Sequence, residues 1–535
     1  MSVSLARWRA VVRLELVTQR REPMTALYIL VFGLLAAAFT AGGPVELVRN
    51  RGDVPRDAAW SMLLASTALT AFGQVITTMV AATVVLRDEQ DRVASLLAAT
   101  RLTRLEYLLG KLVAALLILV LIYTAIPAGL VIGAIVAGAS VSAALSACLP
   151  PFVILVLPTM LAVGALQFAT GVLSGRLWVI VAQGLMLIWF WSACADAALS
   201  TSTGVVASWL DPFGSTAVLR ETARWSDTER ASRAMPITSA LIGSRLLWLL
   251  VGSAAACAAV MRGPRRAVRA QSLVAKVEPL PIRARRALRR GARTPPLYVL
   301  RATTIYTATW MLRDAGWRVL AALGAINVGV HAFLHARGST VGADTTAIAL
   351  RALHVDARLF LILLATIYAG ELVWRERDDR SAPLFDAVPA GDGELLVGRV
   401  VGVVAAQCLL VFVLSVVAAL CAAVSGHGSI RVAGYVTAVA NSVLLPFIAW
   451  MLLALSVHVL LQQKVVAHLV CIAAWMLAVV TSTIDAAPTK GDVLSRSWLV
   501  ATALALLVSW LGWVRGERLA ASSRYHAAVQ RVELL

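Results

Sequence analysis

The chain has 535 residues, of which 60% are hydrophobic and 14% are charged, and its mean hydropathy is +0.81. A soluble protein of this length would carry about a quarter charged residues, and no soluble fold can cover this much apolar side chain. The composition excludes soluble enzymes, disordered chains and disulfide scaffolds, and it predicts an all-α polytopic membrane protein. The six cysteines lie in apolar stretches without a CxxC pair, which favours packing roles over metal or disulfide roles.

Apolar runs long enough for a helical span, which needs roughly 20 residues, occur twelve times along the chain. The first six are Met24–Gly42, Trp60–Leu86, Leu112–Gly138, Ser146–Ser174, Leu177–Ala197 and Leu241–Met261. The other six are Trp317–Leu334, Ala357–Trp374, Val400–Val424, Val432–Leu461, Val465–Ile484 and Trp498–Val514. An amphipathic segment precedes each set, Ser4–Glu22 before the first and the weaker Tyr298–Asp314 before the second, and both are typical of interfacial helices. In Ser4–Glu22 the predicted apolar stripe is Leu5, Trp8, Val12 and Leu16.

The distribution of charge predicts the orientation, because cytoplasmic loops are rich in Lys and Arg. With a cytoplasmic N-terminus, that side holds 34 of the 48 Lys and Arg and 17 of the 29 acids, a net charge of +17. The other side holds 14 basic and 12 acidic residues, a net charge of +2. We therefore expect both termini in the cytoplasm.

The densest basic stretch, Arg262–Arg301, contains twelve basic residues and a single acid, Glu278. A cytoplasmic linker against anionic lipid headgroups explains this composition better than nucleic-acid binding does. The predicted organisation is a first six-span half at 1–261, an Arg-rich linker at 262–297, and a second six-span half at 298–535.

An internal repeat links the two halves. The segment VLRDEQDRVASLLAATRLTRLEYLLGK, Val85 to Lys111, aligns without a gap with VWRERDDRSAPLFDAVPAGDGELLVGR, Val373 to Arg399, at an offset of 288 residues. Ten of the 27 positions are identical, which predicts duplicated halves in parallel orientation.

Each copy of the repeat contains a short apolar patch between charged residues and a turn. The patches are Leu96–Leu97 and Leu384–Phe385. Apolar knobs rimmed by charge predict docking surfaces for a soluble partner. The alternative is a pair of amphipathic helices that only lie on lipid.

On these features the chain resembles ABC exporter permeases of the ABC-2 class, which have the type V exporter fold. The resemblance rests on the interfacial elbow helix and on the charged segment GELVWRERDDRSAPLFDAVPAGDGELLVGR; the first copy has Arg101 where the family pattern has proline. The stretch WLDPFGSTAVLRETARWSDTER, Trp209 to Arg230, resembles the outer loop of twelve-span bacterial permeases that are often fused to a zinc aminopeptidase. No HExxH motif occurs here, so no such peptidase is expected in this chain.

The resemblance implies a non-enzymatic permease subunit in the bacterial inner membrane, served by two ABC ATPase subunits per chain. No GxxxxGK[ST] motif occurs, so ATP and Mg²⁺ are expected on those partners and no cofactor on this chain. The expected cargo is amphipathic, peptide-like or antibiotic-like. The residues expected to couple ATPase motion to the spans are Arg87, Asp91, Arg92, Leu96, Leu97, Glu106, Lys111, Glu371, Arg375, Asp379, Arg380, Leu384, Phe385, Glu394 and Arg399.

Polar residues within the spans are candidates for a transport pathway. The family fold favours Gln74, Thr77, Gln183, Asn327 and Tyr368. Bonding between neighbouring helices is the alternative role for such side chains. The pairs His331/His335 and His458/His468 lack further donors in the sequence, so no metal site is expected.

Three other functions stay open at this point. An ABC permease can perform mechanical work on a periplasmic partner instead of moving a substrate. An ion-coupled secondary transporter also fits twelve spans, but it usually needs charged residues deep in the spans. A membrane-embedded transferase or protease would need a convergent nucleophile or metal set, and the sequence indicates none.

Overall fold

The computed structural model describes residues 4–42, 47–48, 52–90, 93, 97, 99–200, 203–262, 295–338, 344–378, 391–425, 430–461, 464, 467–468, 470–471, 474, 503–505 and 507. These residues form helices joined by turns, without strands. They belong to two compact units, one containing the described residues up to Arg262 and the other those from Pro295 onward.

Eight helices among the described residues are long and apolar enough to cross a membrane. They coincide with eight of the twelve predicted spans, which confirms an all-α, multi-pass membrane protein. The predicted spans Leu177–Ala197 and Ala357–Trp374 are also helical, but they fall outside this set of eight. The predicted spans Val465–Ile484 and Trp498–Val514 lie largely outside the described residues.

The first unit begins with an amphipathic helix that meets the first apolar helix at a sharp break. Glu22 is extended (φ −73°, ψ 122°), and Pro23 starts the next helix, where its missing N–H costs no hydrogen bond. The helices in chain order are α1 Leu5–Arg21, α2 Pro23–Thr40, α3 Ala59–Gln90, α4 Arg104–Tyr123, α5 Ala125–Val136, α6 Val141–Pro151, α7 Leu157–Ser174 and α8 Leu177–Ala197.

Three short helices and one long helix complete this unit: α9 Thr203–Leu210, α10 Ser215–Thr222, α11 Asp227–Ser232 and α12 Ser239–Arg262. The turn between α9 and α10 is built on Asp211, whose carboxylate accepts hydrogen bonds from the backbone N–H groups of Phe213 (2.7 Å) and Thr216 (2.6 Å). Arg245 of α12 donates to the backbone carbonyls of Asp211 (2.7 Å) and Pro212 (3.0 Å). A buried guanidinium thus fastens the turn of the predicted outer loop to a long apolar helix.

The second unit repeats the opening of the first. Its helices are α13 Pro296–Arg313, α14 Ala315–Gly338, α15 Thr345–Arg351, α16 Arg358–Asp378, α17 Asp392–Ser425, α18 Val432–Val439 and α19 Leu445–Leu460. Asp314 between α13 and α14 is extended (φ −65°, ψ 131°), as Glu22 is between α1 and α2.

A π-helical turn interrupts one long helix in each unit at corresponding places. The turns are Phe152–Val156 and Ala440–Leu444, 288 positions apart, and a Leu-Pro pair follows each, ending in Pro158 and Pro446. Because proline cannot donate to the preceding turn, an inserted residue relieves the helix there. This correspondence lies far from the 27-residue segment in which the repeat was recognised.

Candidate functional site

The amphipathic helix α1 packs closely on the start of α4. At Gly110 a methyl group would lie 2.7 Å from Val11 Cγ1 and 2.9 Å from Val11 Cβ, so only glycine permits this approach. The face of α1 that is buried consists of Val11, Glu15 and Gln19. The sequence predicted a stripe of Leu5, Trp8, Val12 and Leu16 instead, but Leu5 is exposed and the other three are half-buried.

A compact group of charges joins α1, α3 and α4 beneath this contact. Lys111 Nζ lies 2.6 Å from Asp88 Oδ2 and 3.4 Å from Glu15 Oε1, and it donates to the carbonyl of Val84 at 2.7 Å. Arg87 Nη2 contacts Glu15 Oε2 at 2.6 Å. We call Glu15, Arg87, Asp88, Tyr107 and Lys111 the first anchor cluster.

The first anchor cluster is charge-balanced and nearly dry. The Lys111 side chain is 2% exposed and that of Glu15 is 4% exposed. The Tyr107 hydroxyl donates to Asp88 at 2.5 Å, and Lys111 Nζ lies 5.0 Å from the centre of the Tyr107 ring. Two cations and two carboxylates, with no net charge, join α1, α3 and α4. Removing any one of them would leave a buried charge uncompensated, which is strongly destabilising.

Glu106 performs a local role beside this cluster. Its carboxylate accepts from the backbone N–H of Thr103 (2.8 Å) and from that of Ser4 (2.6 Å), and it contacts Arg7 at 3.0 Å. Thr103 Oγ1 accepts from the Glu106 N–H in return, which completes a capping box at the start of α4. Glu106 therefore starts α4 and also ties the beginning of α1 to it.

The second unit has a corresponding arrangement around α13, α16 and α17. A methyl group at Gly398 would lie 2.9 Å from Thr303 Cβ and 3.0 Å from the carbonyl oxygen of Leu300. Arg399 Nη2 contacts Glu376 Oε1 at 2.6 Å. Arg375 Cζ lies 4.1 Å from the ring centre of Trp310 and 5.8 Å from that of Tyr306. We call Tyr306, Trp310, Arg375, Glu376 and Arg399 the second anchor cluster.

The two clusters are related by the same offset as the sequence repeat. Lys111–Asp88 and Arg399–Glu376 are both ion pairs, and Arg399 and Glu376 lie 288 positions after Lys111 and Asp88. The backbone N–H of Gly391 donates to Glu394 at 3.3 Å, as that of Thr103 does to Glu106, again at this offset. The amphipathic helices follow a register of 292, which aligns Val11 with Thr303 and Glu15 with Thr307.

The structure describes only part of the predicted coupling set. Arg87, Lys111, Arg375 and Arg399 lie in the anchor clusters, while Glu106 and Glu394 cap the helices that follow. The half-buried Leu97 donates its N–H to the carbonyl of Val93 at 3.0 Å. Glu371 contacts Lys464 at 2.7 Å. The remaining residues of the set lie outside the described part of the chain: Asp91, Arg92, Leu96, Asp379, Arg380, Leu384 and Phe385.

The predicted pathway residues of the first unit lie among packed helices. A methyl group at Gly184 would lie 3.1 Å from the side-chain nitrogens of both Gln74 and Gln167, so these amides converge on α8. Thr77 is buried and shares a 2.9 Å hydrogen bond with the Tyr123 hydroxyl. Gln183 is half-buried, and its Oε1 accepts no hydrogen bond from the described residues. A pathway role for these residues stays a prediction.

In the second unit, the two predicted pathway residues join neighbouring elements. The Tyr368 hydroxyl donates to Asp314 Oδ2 at 2.5 Å, which ties α16 to the break between α13 and α14. Asn327 Nδ2 donates to the backbone carbonyl of Asp356 at 2.8 Å. Both contacts stabilise helix packing and leave a pathway role as a prediction.

Searches against protein-family models and against characterised proteins gave no match to this chain. The resemblance to ABC-2 permeases therefore rests on the sequence motifs alone.

Sequence reasoning missed Glu15, Asp88, Tyr107 and Glu376. A usable signal existed for two of them, because Asp88 and Glu376 keep their acidic character at the 288-residue offset, just as Lys111 and Arg399 keep theirs. Glu15 carried no such signal, since α13 contains no acidic residue. Tyr107 aligns with Leu395 and could be recognised only from its contact with Asp88.

The contacts described above join the two helices on either side of each charged segment. In each unit, an ion pair joins the helix that precedes the charged segment to the helix that follows it, and an amphipathic helix packs across both ends. Among the described residues, these contacts restrain the two helices relative to each other.

Proposed function

We propose that this chain is the transmembrane permease subunit of an ATP-binding cassette exporter. Separate nucleotide-binding subunits, two per chain, hydrolyse ATP, and the chain converts their motion into export of an amphipathic, peptide-like or antibiotic-like molecule. It resides in the bacterial cytoplasmic membrane with both termini inside, and its twelve spans form two parallel six-helix halves.

One observation carries this proposal: each unit braces the two ends of a charged segment with a matched ion pair, Lys111–Asp88 or Arg399–Glu376. A segment that only rests on lipid needs no such brace. A segment that is moved by a soluble ATPase needs this ion pair, because a loose connection to the flanking helices would not transmit the motion to them. Two braced segments in one chain also match two motor subunits.

The braces favour a motor-driven permease over an ion-coupled secondary transporter. In the described residues, the buried charges of the first anchor cluster neutralise one another, and Arg87, Asp88 and Lys111 lie just outside the predicted spans that end at Leu86 and begin at Leu112. Ion-coupled carriers instead place ionisable or unwound sites near the middle of the spans. The same braces serve mechanical work on a periplasmic partner, so cargo export and mechanical work must be separated by experiment.

The test is purification of the tagged protein from its native membrane in mild detergent, with Leu96→Asp plus Leu384→Asp as the docking-defective variant. We expect an ABC ATPase to copurify with the wild type and to be lost from the double variant. The matched control is Leu199→Asp, an exposed leucine outside both segments, which should retain the ATPase. Unchanged copurification from the double variant would contradict docking at these patches.

A further inference from the structure

Two histidines lie one turn apart near the end of α14 that is remote from α13. His331 is buried and His335 is half-buried, and the centres of their rings are 6.0 Å apart. Histidines spaced four residues apart on a helix present their ring nitrogens on one face, which is the spacing used by metal-binding helices. In the sequence, this pair lacked a third donor.

The fold supplies that donor. Asp356 ends the π-helical turn Ala352–Asp356, and its Oδ1 lies 3.5 Å from His331 Nδ1. One ligand atom from each of His331, His335 and Asp356 lies within 4.8 Å of the others, a grouping found once in the described part of the chain. No Leu-Pro pair follows this π-helical turn, unlike the turns that precede Pro158 and Pro446, and π-helical turns recur at functional sites.

The position of Asp356 is fixed by its neighbour on α14. Asn327, one turn before His331, holds the backbone carbonyl of Asp356 with a 2.8 Å hydrogen bond. Asn327 Oδ1 is buried and accepts no hydrogen bond from the described residues. This oxygen can therefore accept a hydrogen bond from a water bound beside the three side chains.

We propose that His331, His335 and Asp356 bind one divalent transition-metal ion of the Zn²⁺ class. Two imidazoles and one carboxylate are borderline ligands that suit Zn²⁺, and a water completes the fourth position. Bonds of about 2.0–2.1 Å in a tetrahedron place ligand atoms about 3.3 Å apart. The His331–Asp356 separation of 3.5 Å is close to this value, and rotation of the half-buried His335 ring closes the rest.

The bound ion ties α14 to the turn that leads into α16, at the end of α14 that is remote from α13. It would therefore limit the separation of α14 and α16 at the end that the Tyr368–Asp314 hydrogen bond does not reach. This inference is independent of the permease proposal, because it depends only on the three side chains and their geometry.

The alternative is a histidine–aspartate ion pair without a metal. The two cases differ in stoichiometric metal binding, so the purified full chain without a His-tag, stripped with chelator, is titrated with Zn²⁺ by calorimetry. We expect one site per chain in the wild type and its loss in both His335→Ala and Asp356→Asn. His354→Ala is the matched control, because His354 lies on the same π-helical turn and bonds to Ser442 outside the triad.

Thermal melting in chelator shows whether each variant folds, and we expect added Zn²⁺ to raise the melting temperature of the wild type and His354→Ala alone. Co²⁺ substitution should give a spectrum without a thiolate charge-transfer band, which excludes the cysteines as ligands. Absence of a stoichiometric site in the wild type, or retention of that site in folded His335→Ala, would overturn the proposal.

Discussion

Lys111 in the first anchor cluster lies between carboxylates from two helices, whereas Arg375 in the second lies on the rings of Trp310 and Tyr306. The difference originates in the amphipathic helices: α1 contributes Glu15, and the aligned position of α13 is Thr307, within a helix that has no acidic residue. The ion pair across the segment is common to both clusters. What varies is the chemistry that attaches the amphipathic helix.

Each anchor cluster makes two kinds of contact, one between the helices on either side of the charged segment and one to the amphipathic helix. The Lys111–Asp88 and Arg399–Glu376 pairs brace the segment, and each has kept its charge pattern while its surroundings diverged. Attachment of the amphipathic helix is buried and ionic in the first unit and aromatic in the second. Buried ion pairs depend strongly on both partners, while cation–π contacts at partly exposed sites are worth less. The first support should therefore be the less tolerant of substitution.

Replacement of Lys111 by methionine should cause the largest loss. It leaves Asp88 without its 2.6 Å cation partner and Glu15 with Arg87 alone, so one buried carboxylate charge stays uncompensated and we expect a loss of about 3–5 kcal/mol in the free energy of unfolding. Denaturant unfolding in detergent measures this loss. Asp88→Asn in the Lys111→Met background should recover part of it, because it removes the uncompensated charge and leaves the Arg87–Glu15 pair. A loss below about 1 kcal/mol for Lys111→Met would contradict a tightly buried cluster.

Alanine at Gly110 or Gly398 tests whether close helix contact is shared by both units. Each new methyl group would press on the amphipathic helix, at Val11 or at Thr303. Overpacking of this kind costs about 1–3 kcal/mol. Gly434→Ala is the control, because no atom outside its own helix backbone lies within 4 Å of a methyl group there. Equal stability of all three variants would show that neither contact is close.

Arg399→Met should cost less than Lys111→Met. The Glu376 side chain is 24% exposed, so water partly solvates the carboxylate that loses its partner. We expect about 1–2 kcal/mol, between the values for surface and buried pairs. The same unfolding measurement ranks the two variants, and a loss as large as that of Lys111→Met would remove the difference between the two supports.

Trp310→Leu should have the smallest effect of this series. It keeps apolar volume on α13 and removes the ring beneath Arg375, which is worth about 0.5–1 kcal/mol at a partly exposed site. Because α1 has Thr18 at the aligned position, Thr18→Leu serves as the matched control and should be neutral. A loss above about 2 kcal/mol would mean that the ring itself carries the attachment of α13.

Much of the fold was accessible from the sequence because long apolar runs leave little choice of structure. The spans beginning at Met24 and Trp60 coincide with α2 and α3 within a few residues. The buried face of α1 could not be predicted from the apolar pattern, because it contains the charged residue Glu15. The partners that make burial of Glu15 possible, Arg87 and Lys111, lie on α3 and α4. Asp356 is another case, since it meets His331 through a π-helical turn that local patterns do not predict.

The charged segments were also predictable only in part. The alignment of the two copies at an offset of 288 residues singled out Lys111 and Arg399 from the sequence. The same offset marks Asp88 and Glu376 as acidic in both copies, but their pairing with Lys111 and Arg399 required the structure, because contact between residues 23 positions apart depends on the path of the chain between them.

Native mass spectrometry of the complex extracted from its own membrane tests the permease proposal most directly. We expect one copy of this chain with two copies of an ABC ATPase, one for each braced segment. A monodisperse, folded chain that carries no ATPase under conditions that preserve other membrane complexes would contradict the proposal.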